Sequence, residues 1–275
     1  MGPYKLKELE PEEFAHPMEV QALERLKNTR GLGKVVSKFY ELGFERTMKL
    51  QVVGSCLRAS GHSFTHLEFL VDKACEVLEC PITPTIYIQR TEELISRTLG
   101  MDDPIMVIST EAVDKLSNQE LLFMIGREIA HLRSNHILYQ EIGLIFPDII
   151  EALSAVTLGI GAIVSTGLRY ALFNWYHLAD YTADRGGLLA CQDKQAAMMV
   201  LAKWSGLPER YWQTYNTAEF EKQASSMESF DPRTFDKIVG FILGDHSWSV
   251  FRAGELLKWI DSGEYTDLLG QKLLV

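Results

Sequence analysis

The chain has 275 residues, 47% of them hydrophobic, and 27 lysines and arginines against 37 aspartates and glutamates, for a formal net charge of −10. That hydrophobic content lies far above the disordered range and is enough to build one large core or two modest ones. The negative balance speaks against nucleic acid as a partner, because no basic patch interleaved with aromatic residues opposes it; Arg25, Lys27, Arg30, Lys34 and Lys38 fall at the spacing of a solvated helix face.

In chain order, Pro17 opens a helix over 18–26, and Gly31 and Gly33 mark a turn. Segments 35–42 and 44–57 read as helices on either side of Gly43. Over 64–78, Phe64, Leu67, Leu70, Val71, Ala74 and Leu78 recur at helical spacing, and Pro81 and Pro84 end that element. Residues 85–89 alternate as a strand does, and 104–109 (PIMVIS) is a second strand. A short helix over 111–115 precedes Ser117, whose Ser-x-x-Glu pattern to Glu120 is a capping box at the head of an apolar-periodic run. The helix it starts is expected to reach about residue 141, with Pro147 separating it from an apolar segment. Further helices are expected over about 170–189, 194–204 and 249–262. The sum is a mostly helical α+β chain with a small sheet, divided into an N-terminal helical extension over 1–63 and a main domain over 64–275.

Segment 152–168 (ALSAVTLGIGAIVSTGL) carries no charge between Glu151 and Arg169. It is short for a bilayer span, and its glycines, serines and threonines make it only mildly apolar, so a buried or membrane-touching helix is expected rather than a crossing one. Cys56, Cys75, Cys80 and Cys191 form no CxxC pair; Cys75 and Cys80 flank the end of an apolar run and read as buried thiols. The first residues are charged and polar without a secretory pattern, which makes the cytoplasm the expected compartment, with peripheral membrane contact through 152–168.

The most informative stretch is REIAH at 127–131. A zincin carries H-E-x-x-H, so that two imidazoles project from one helix face onto zinc and the intervening Glu polarises the attacking water. Here His131 holds the fifth position and Glu128 that of the general base. Arg127 stands first, and it stays protonated and has no lone pair to give a metal. E-x-x-H alone is a weak signal, and its surroundings strengthen it.

FMIGREIAHLRSNH, together with DYTADRGGL beginning at Asp180, resembles the HtpX-like zinc endopeptidases, the group that includes the CAAX prenyl protease. In that family the helix reads G-H-E-x-x-H-x-x-x-x-H, and a later helix supplies the third ligand as the Glu of E-x-x-A-D. Gly126, Glu128, His131, His136, Ala183 and Asp184 match. Arg127 replaces the first zinc histidine and Asp180 replaces the third-ligand Glu. His246 to Arg252, followed by Glu255, resembles the family's H-P-x-x-x-x-R segment with Ser247 where proline is usual. Ahead of the substrate-pairing strand, ISRTLG at 95–100 keeps the family's glycine and lacks its asparagine.

The resemblance implies a zincin-like metallopeptidase domain with Glu128 as catalytic base and His131 and Asp180 as metal ligands. His177, three residues before Asp180, is a conceivable replacement ligand. His136, roughly 140° round a continuous helix from His131, is expected to support the site rather than ligate, as are Asp184, His246 and Arg252. Substrate would add beside an edge strand at 104–109. Two ligands hold zinc poorly next to the usual three plus water, and a guanidinium repels a dication while pairing with Asp180 or Asp184. The expectation is therefore a peptidase-like protein with weak or absent zinc, serving as a binding or scaffold module for a polypeptide partner. A zinc endopeptidase with an unusual ligand set or an introduced Arg127, and different chemistry in the same cleft, are the alternatives. His16, His62 and His66 show no partner arrangement in the sequence and read as ordinary.

Overall fold

The computed structural model describes residues 4–157, 161–227 and 248–272, with the side chains of 152–165 outside the description. The chain begins with α1 (Pro11–Phe14), α2 (Pro17–Lys27), α3 (Leu32–Glu41) and α4 (Phe44–Ser55). Pro11 and Pro17 sit in first turns, where a missing N–H leaves nothing unsatisfied. Gly31 (φ 99°) and Gly43 (φ 63°) precede α3 and α4 in the left-handed conformation that a side chain would strain.

The sheet is built from β1 (Leu57–Arg58), β2 (Thr85–Gln89), β3 (Ser96–Leu99) and β4 (Ile105–Ser109), with α5 (Thr65–Val77) between its first two strands. The strand order is β1-β2-β4-β3; β2 and β4 run parallel, and the two outer strands pair antiparallel. Every residue of β4 is buried. The expectation that 104–109 forms the receiving edge is thus corrected: β4 lies inside, and β3 is the edge. Ser-Arg-Thr-Leu escaped notice as a strand because its exposure follows the cleft it borders, buried only at Thr98 and Leu99, rather than a two-residue alternation.

Next come α6 (Thr110–Lys115), α7 (Asn118–Arg133), α8 (Ile137–Leu144), α9 (Phe146–Thr157) and α10 (Gly161–Cys191). After them lie α11 (Lys194–Trp204), α12 (Thr217–Ser226), α13 (Ser249–Asp261) and α14 (Glu264–Lys272). The capping box is complete: the Glu120 amide donates to Ser117 Oγ (3.4 Å) and the Ser117 amide to Glu120 Oε2 (2.8 Å). The single helix expected over 118–141 is two. Asn135 takes φ 56° and the His136 amide closes on the His131 carbonyl (2.9 Å), a Schellman-type stop that ends α7 and lets α8 restart. Pro147 does not separate elements but lies in the first turn of α9. The helix expected over 170–189 is longer at both ends. The apolar segment 152–168 is helical over its described residues, in α9 and α10. Among the described residues no helix is long and apolar enough to cross a membrane.

The main core gathers α5, α7, α11, α13 and the end of α10, and it includes Leu6, Leu9 and Phe14 from the start of the chain. A second cluster joins α2 and α3 to Ile142, Phe146, Ile149 and the middle of α10 around Trp175. What positions the site is the contact between α7 and α10, where small residues let two backbones meet. A Cβ on Gly126 would lie 2.3 Å from Ala190 Cβ and 3.1 Å from Gly187 Cα. Gly126→Ala is therefore expected to lower the unfolding free energy by about 1–3 kcal/mol in urea denaturation, through overpacking. Gly54→Ala, at the exposed C-terminal end of α4 with nothing within 4 Å, should be neutral or slightly stabilising. Equal stability of the two variants would mean that α7 and α10 have room to spare.

Candidate active-site cleft

A cleft of about 590 Å³ opens between β3, α7, α8, α10 and the end of α11. Arg127, Glu128 and His131 reach it from α7, Tyr176 and Asp180 from α10, and Arg252 from α13. The first turn of REIAH does not point to solvent: Arg127 is buried. Its Nε donates to Asp184 Oδ1 and its Nη2 to Asp180 Oδ1, both at 2.6 Å. Arg252 donates to the same Asp184 through Nε to Oδ2 (2.8 Å) and Nη2 to Oδ1 (2.6 Å), and its Nη1 lies 3.6 Å from Asp180 Oδ2.

Two guanidinia and two carboxylates thus form a closed, charge-balanced knot that ties α7, α10 and α13 together. Its floor is Trp204, with Arg127 Cζ 4.9 Å and Arg252 Cζ 5.0 Å from the indole ring and the indole N–H donating to the Leu94 carbonyl (2.7 Å). Burial alone would raise the Asp180 carboxyl, but Arg252, Arg127 and His131 overcome it and hold the group well below the usual carboxylate range. Burial would likewise lower Arg252, and the two aspartates raise it instead. Asp180 therefore stays ionised and Arg252 stays charged.

Glu128 accepts from the Ser96 hydroxyl of β3 (3.0 Å), so the carboxylate at the general-base position is tethered to the edge strand. His131 turns Nε2 toward Asp180 Oδ1 at 3.6 Å, beyond hydrogen-bond range, while its Nδ1 sits 3.1 Å from His136 Nδ1 and 3.2 Å from Gln140 Nε2. The stop at Asn135 brings His136 back against His131, so the angular separation expected of a continuous helix does not apply. His136 Nε2 in turn lies 3.4 Å from Glu19 Oε1, which also accepts from Trp175 Nε1 at 2.8 Å. Burial lowers the His136 pKa against the opposing pull of Glu19. His16 is also engaged: it caps α2 and meets Glu255 Oε2 at 3.2 Å.

The expected replacement ligand is not brought in. His177 is not among the cleft-lining residues and lies edge-on to Tyr176, 6.1 Å between ring centroids. Four residues before Asp180, rather than three, is the helical position that shares its exposure to the cleft, and Tyr176 holds it. Burial first, then Asp180 and Glu128, push the Tyr176 phenol up to about 12. His246 lies outside the described residues. Trp204 and Ser96 complete the site without a sequence signal, because each enters from an element distant in the chain, and Gln140 is brought in by the turn between α7 and α8.

Zinc does not fit this donor set. Arg127 offers no lone pair and already donates to Asp180 Oδ1, the oxygen that His131 faces. That leaves His131 and Asp180, one fewer than the three protein ligands usual beside a water. Among the described residues no three His, Cys, Asp or Glu side chains converge on a metal position.

At the other end of the cleft Glu141 is buried, with Oε1 accepting from the Gly100 amide (2.7 Å) and Oε2 unpartnered among the described residues. Burial raises its pKa to about 7; Glu45 adds to the rise, while the Gly100 amide and Lys49 oppose it. The folded chain therefore keeps a proton between roughly pH 4.5 and 7 that the unfolded chain has released, and stability falls as pH rises through that window. Glu141→Gln retains an acceptor for Gly100 and removes the titration. Relative to the unaltered chain it should gain on the order of 2–3 kcal/mol between pH 4.5 and pH 8. Melting curves across that range check this, and parallel pH profiles for the two proteins would contradict it.

No solved structure matches the chain significantly. A curated relative, "Plastoglobule-localized metallopeptidase 48, chloroplastic" of Arabidopsis thaliana, is 26% identical over 97% of this chain and 78% of its own length. The model of peptidase family M48 matches residues 64–232, well over half the chain, a stretch that contains α7, the paired glycines of α10 and both aspartates of the knot. The chain belongs to peptidase family M48.

Proposed function

We propose that this protein is a peptidase-fold binding module, in which the cleft receives an extended polypeptide along β3 and does not hydrolyse it. The observation that carries the reading is the placement of Arg127: the position that would present a metal-ligating imidazole presents a guanidinium bound to Asp180 and Asp184. The cleft remains open, and its β3 wall is a sheet edge of the kind to which extended peptides add. The partner is a polypeptide rather than nucleic acid, and the working location is the cytoplasm, peripheral to a membrane. A relative named as chloroplastic gives cell fractionation a second compartment to test.

A photocrosslinker placed at the exposed cleft residue Arg97 tests the binding reading, with a reduced and alkylated unstructured polypeptide as probe and Arg30, exposed between α2 and α3, as control position. The expected result is crosslinking from 97, little from 30, and no cleavage fragments with or without a chelator. Fragments abolished by both the chelator and Glu128→Gln would establish a working metallopeptidase instead. Equal crosslinking from the two positions would count against a cleft-bound partner.

A further inference from the structure

We propose that Cys75 and Cys80 are a modification site, a dithiol that closes to an intramolecular disulfide by exchange with a disulfide-bearing oxidant. Neither residue lines the cleft, so the inference is independent of what the cleft binds.

The pair is assembled by the way α5 ends. Glu79 takes φ 49°, and the Cys80 amide folds back to the Cys75 carbonyl at 2.9 Å while the Leu78 amide bonds the Ala74 carbonyl at 3.0 Å. This reversal lays the residue after the turn beside the last turn of the helix. The two thiols share one acceptor, the Ile82 carbonyl, 4.0 Å from Cys75 Sγ and 3.3 Å from Cys80 Sγ.

Their environments differ as a nucleophile and a resolving thiol require. Cys75 is buried; Cys80 is half-buried in the wall of a cavity of about 180 Å³ that also exposes Arg133. Arg133 is held there by donating to the Leu78 carbonyl (3.3 Å) and the Leu9 carbonyl (3.0 Å). The neighbouring Cys75 thiol lowers the Cys80 thiol to about 7 against the effect of burial, and the Ile82 backbone and the Arg133 charge add to it. The neighbouring Cys80 thiol, and then burial, push Cys75 far above the ordinary thiol range. Cys191, by contrast, is buried and pushed up to about 12 by desolvation.

In the first step the Cys80 thiolate attacks one sulfur of the oxidant; a Cys80 mixed disulfide forms, and the other sulfur leaves as a thiolate and takes up a proton. In the second, Cys75 gives its proton to solvent and attacks Cys80 Sγ, and the remaining oxidant sulfur departs as a thiol. Two protein thiols are oxidised and one external disulfide is reduced to two thiols, so the electrons balance.

The test equilibrates the full chain with mixtures of reduced and oxidised glutathione, traps free thiols by alkylation and maps the peptides by mass. The expected product is a Cys75–Cys80 crosslink two hydrogens lighter than the reduced chain. In the reduced chain near neutral pH, Cys80 should alkylate roughly tenfold faster than Cys56 or Cys191. Cys75→Ser should stop at a glutathione adduct on Cys80, and Cys80→Ser should give neither product. A folded chain that keeps both thiols at the most oxidising ratio, or that alkylates Cys80 no faster than Cys191, overturns the proposal. Should either variant fail to fold, the crosslink and the alkylation rates of the unaltered chain decide alone.

Discussion

Asp184→Ala is expected to lower the unfolding free energy by about 3–5 kcal/mol, the range found when one member of a buried ion-pair network is removed. Asp184 is almost wholly buried, and three guanidinium N–H groups from two arginines converge on its two oxygens. Without it Arg127 and Arg252 keep their charges over the Trp204 ring with only Asp180 to answer both, and burial denies them water. Asp184→Asn preserves shape and one acceptor and should fall between the two. Urea unfolding measures all three proteins. A loss below about 1 kcal/mol, as for an exposed pair, would mean that solvent reaches the knot and that it does not tie the helices together.

Much of this was legible in the sequence, and the remainder was hidden for physical reasons. Periodic apolar runs marked α5, α11 and α13 nearly to the residue, because those helices bury one face, and the Ser117 cap fixed the start of α7 but not its end. The α7–α10 partnership was readable in part: an Arg in a ligand position demands a carboxylate, and DYTAD supplied two on one helix. The break after Arg133 was not readable, since Ser-Asn-His carries no proline or glycine and relies on Asn135 in a left-handed conformation. For that reason the side-by-side placement of His131 and His136 could not be foreseen. The edge strand was missed for a different reason: β3 borders the cleft, so its side chains do not alternate as a half-buried strand should. Trp204, the floor of the knot, lay beyond sequence reasoning because no pattern links it to residues more than seventy positions earlier in the chain.

The second large effect concerns what Arg127 displaces. Arg127→His should raise zinc affinity by roughly 100-fold or more, since changes confined to the outer shell of a metal site already cost ten- to a hundredfold and this one restores a ligand. Positions 127 and 131 lie one turn apart on α7, and both side chains aim at the same atom, Asp180 Oδ1. Removing the guanidinium frees that oxygen, while Asp184 keeps its bidentate partner Arg252, so the variant should lose far less stability than Asp184→Ala. Adding Asp180→Glu lengthens the third ligand by one methylene and should tighten binding further. If neither change moves zinc affinity, the guanidinium is not what keeps a metal from this cleft.

Titrating the unaltered chain with zinc against a chromophoric chelator shows whether the ion-paired Arg127 guanidinium holds the place of a metal ligand. The chelator is expected to keep its metal at every protein concentration reached, and dialysed protein to carry no stoichiometric zinc. One tightly held zinc per chain, lost on His131→Ala, would contradict it.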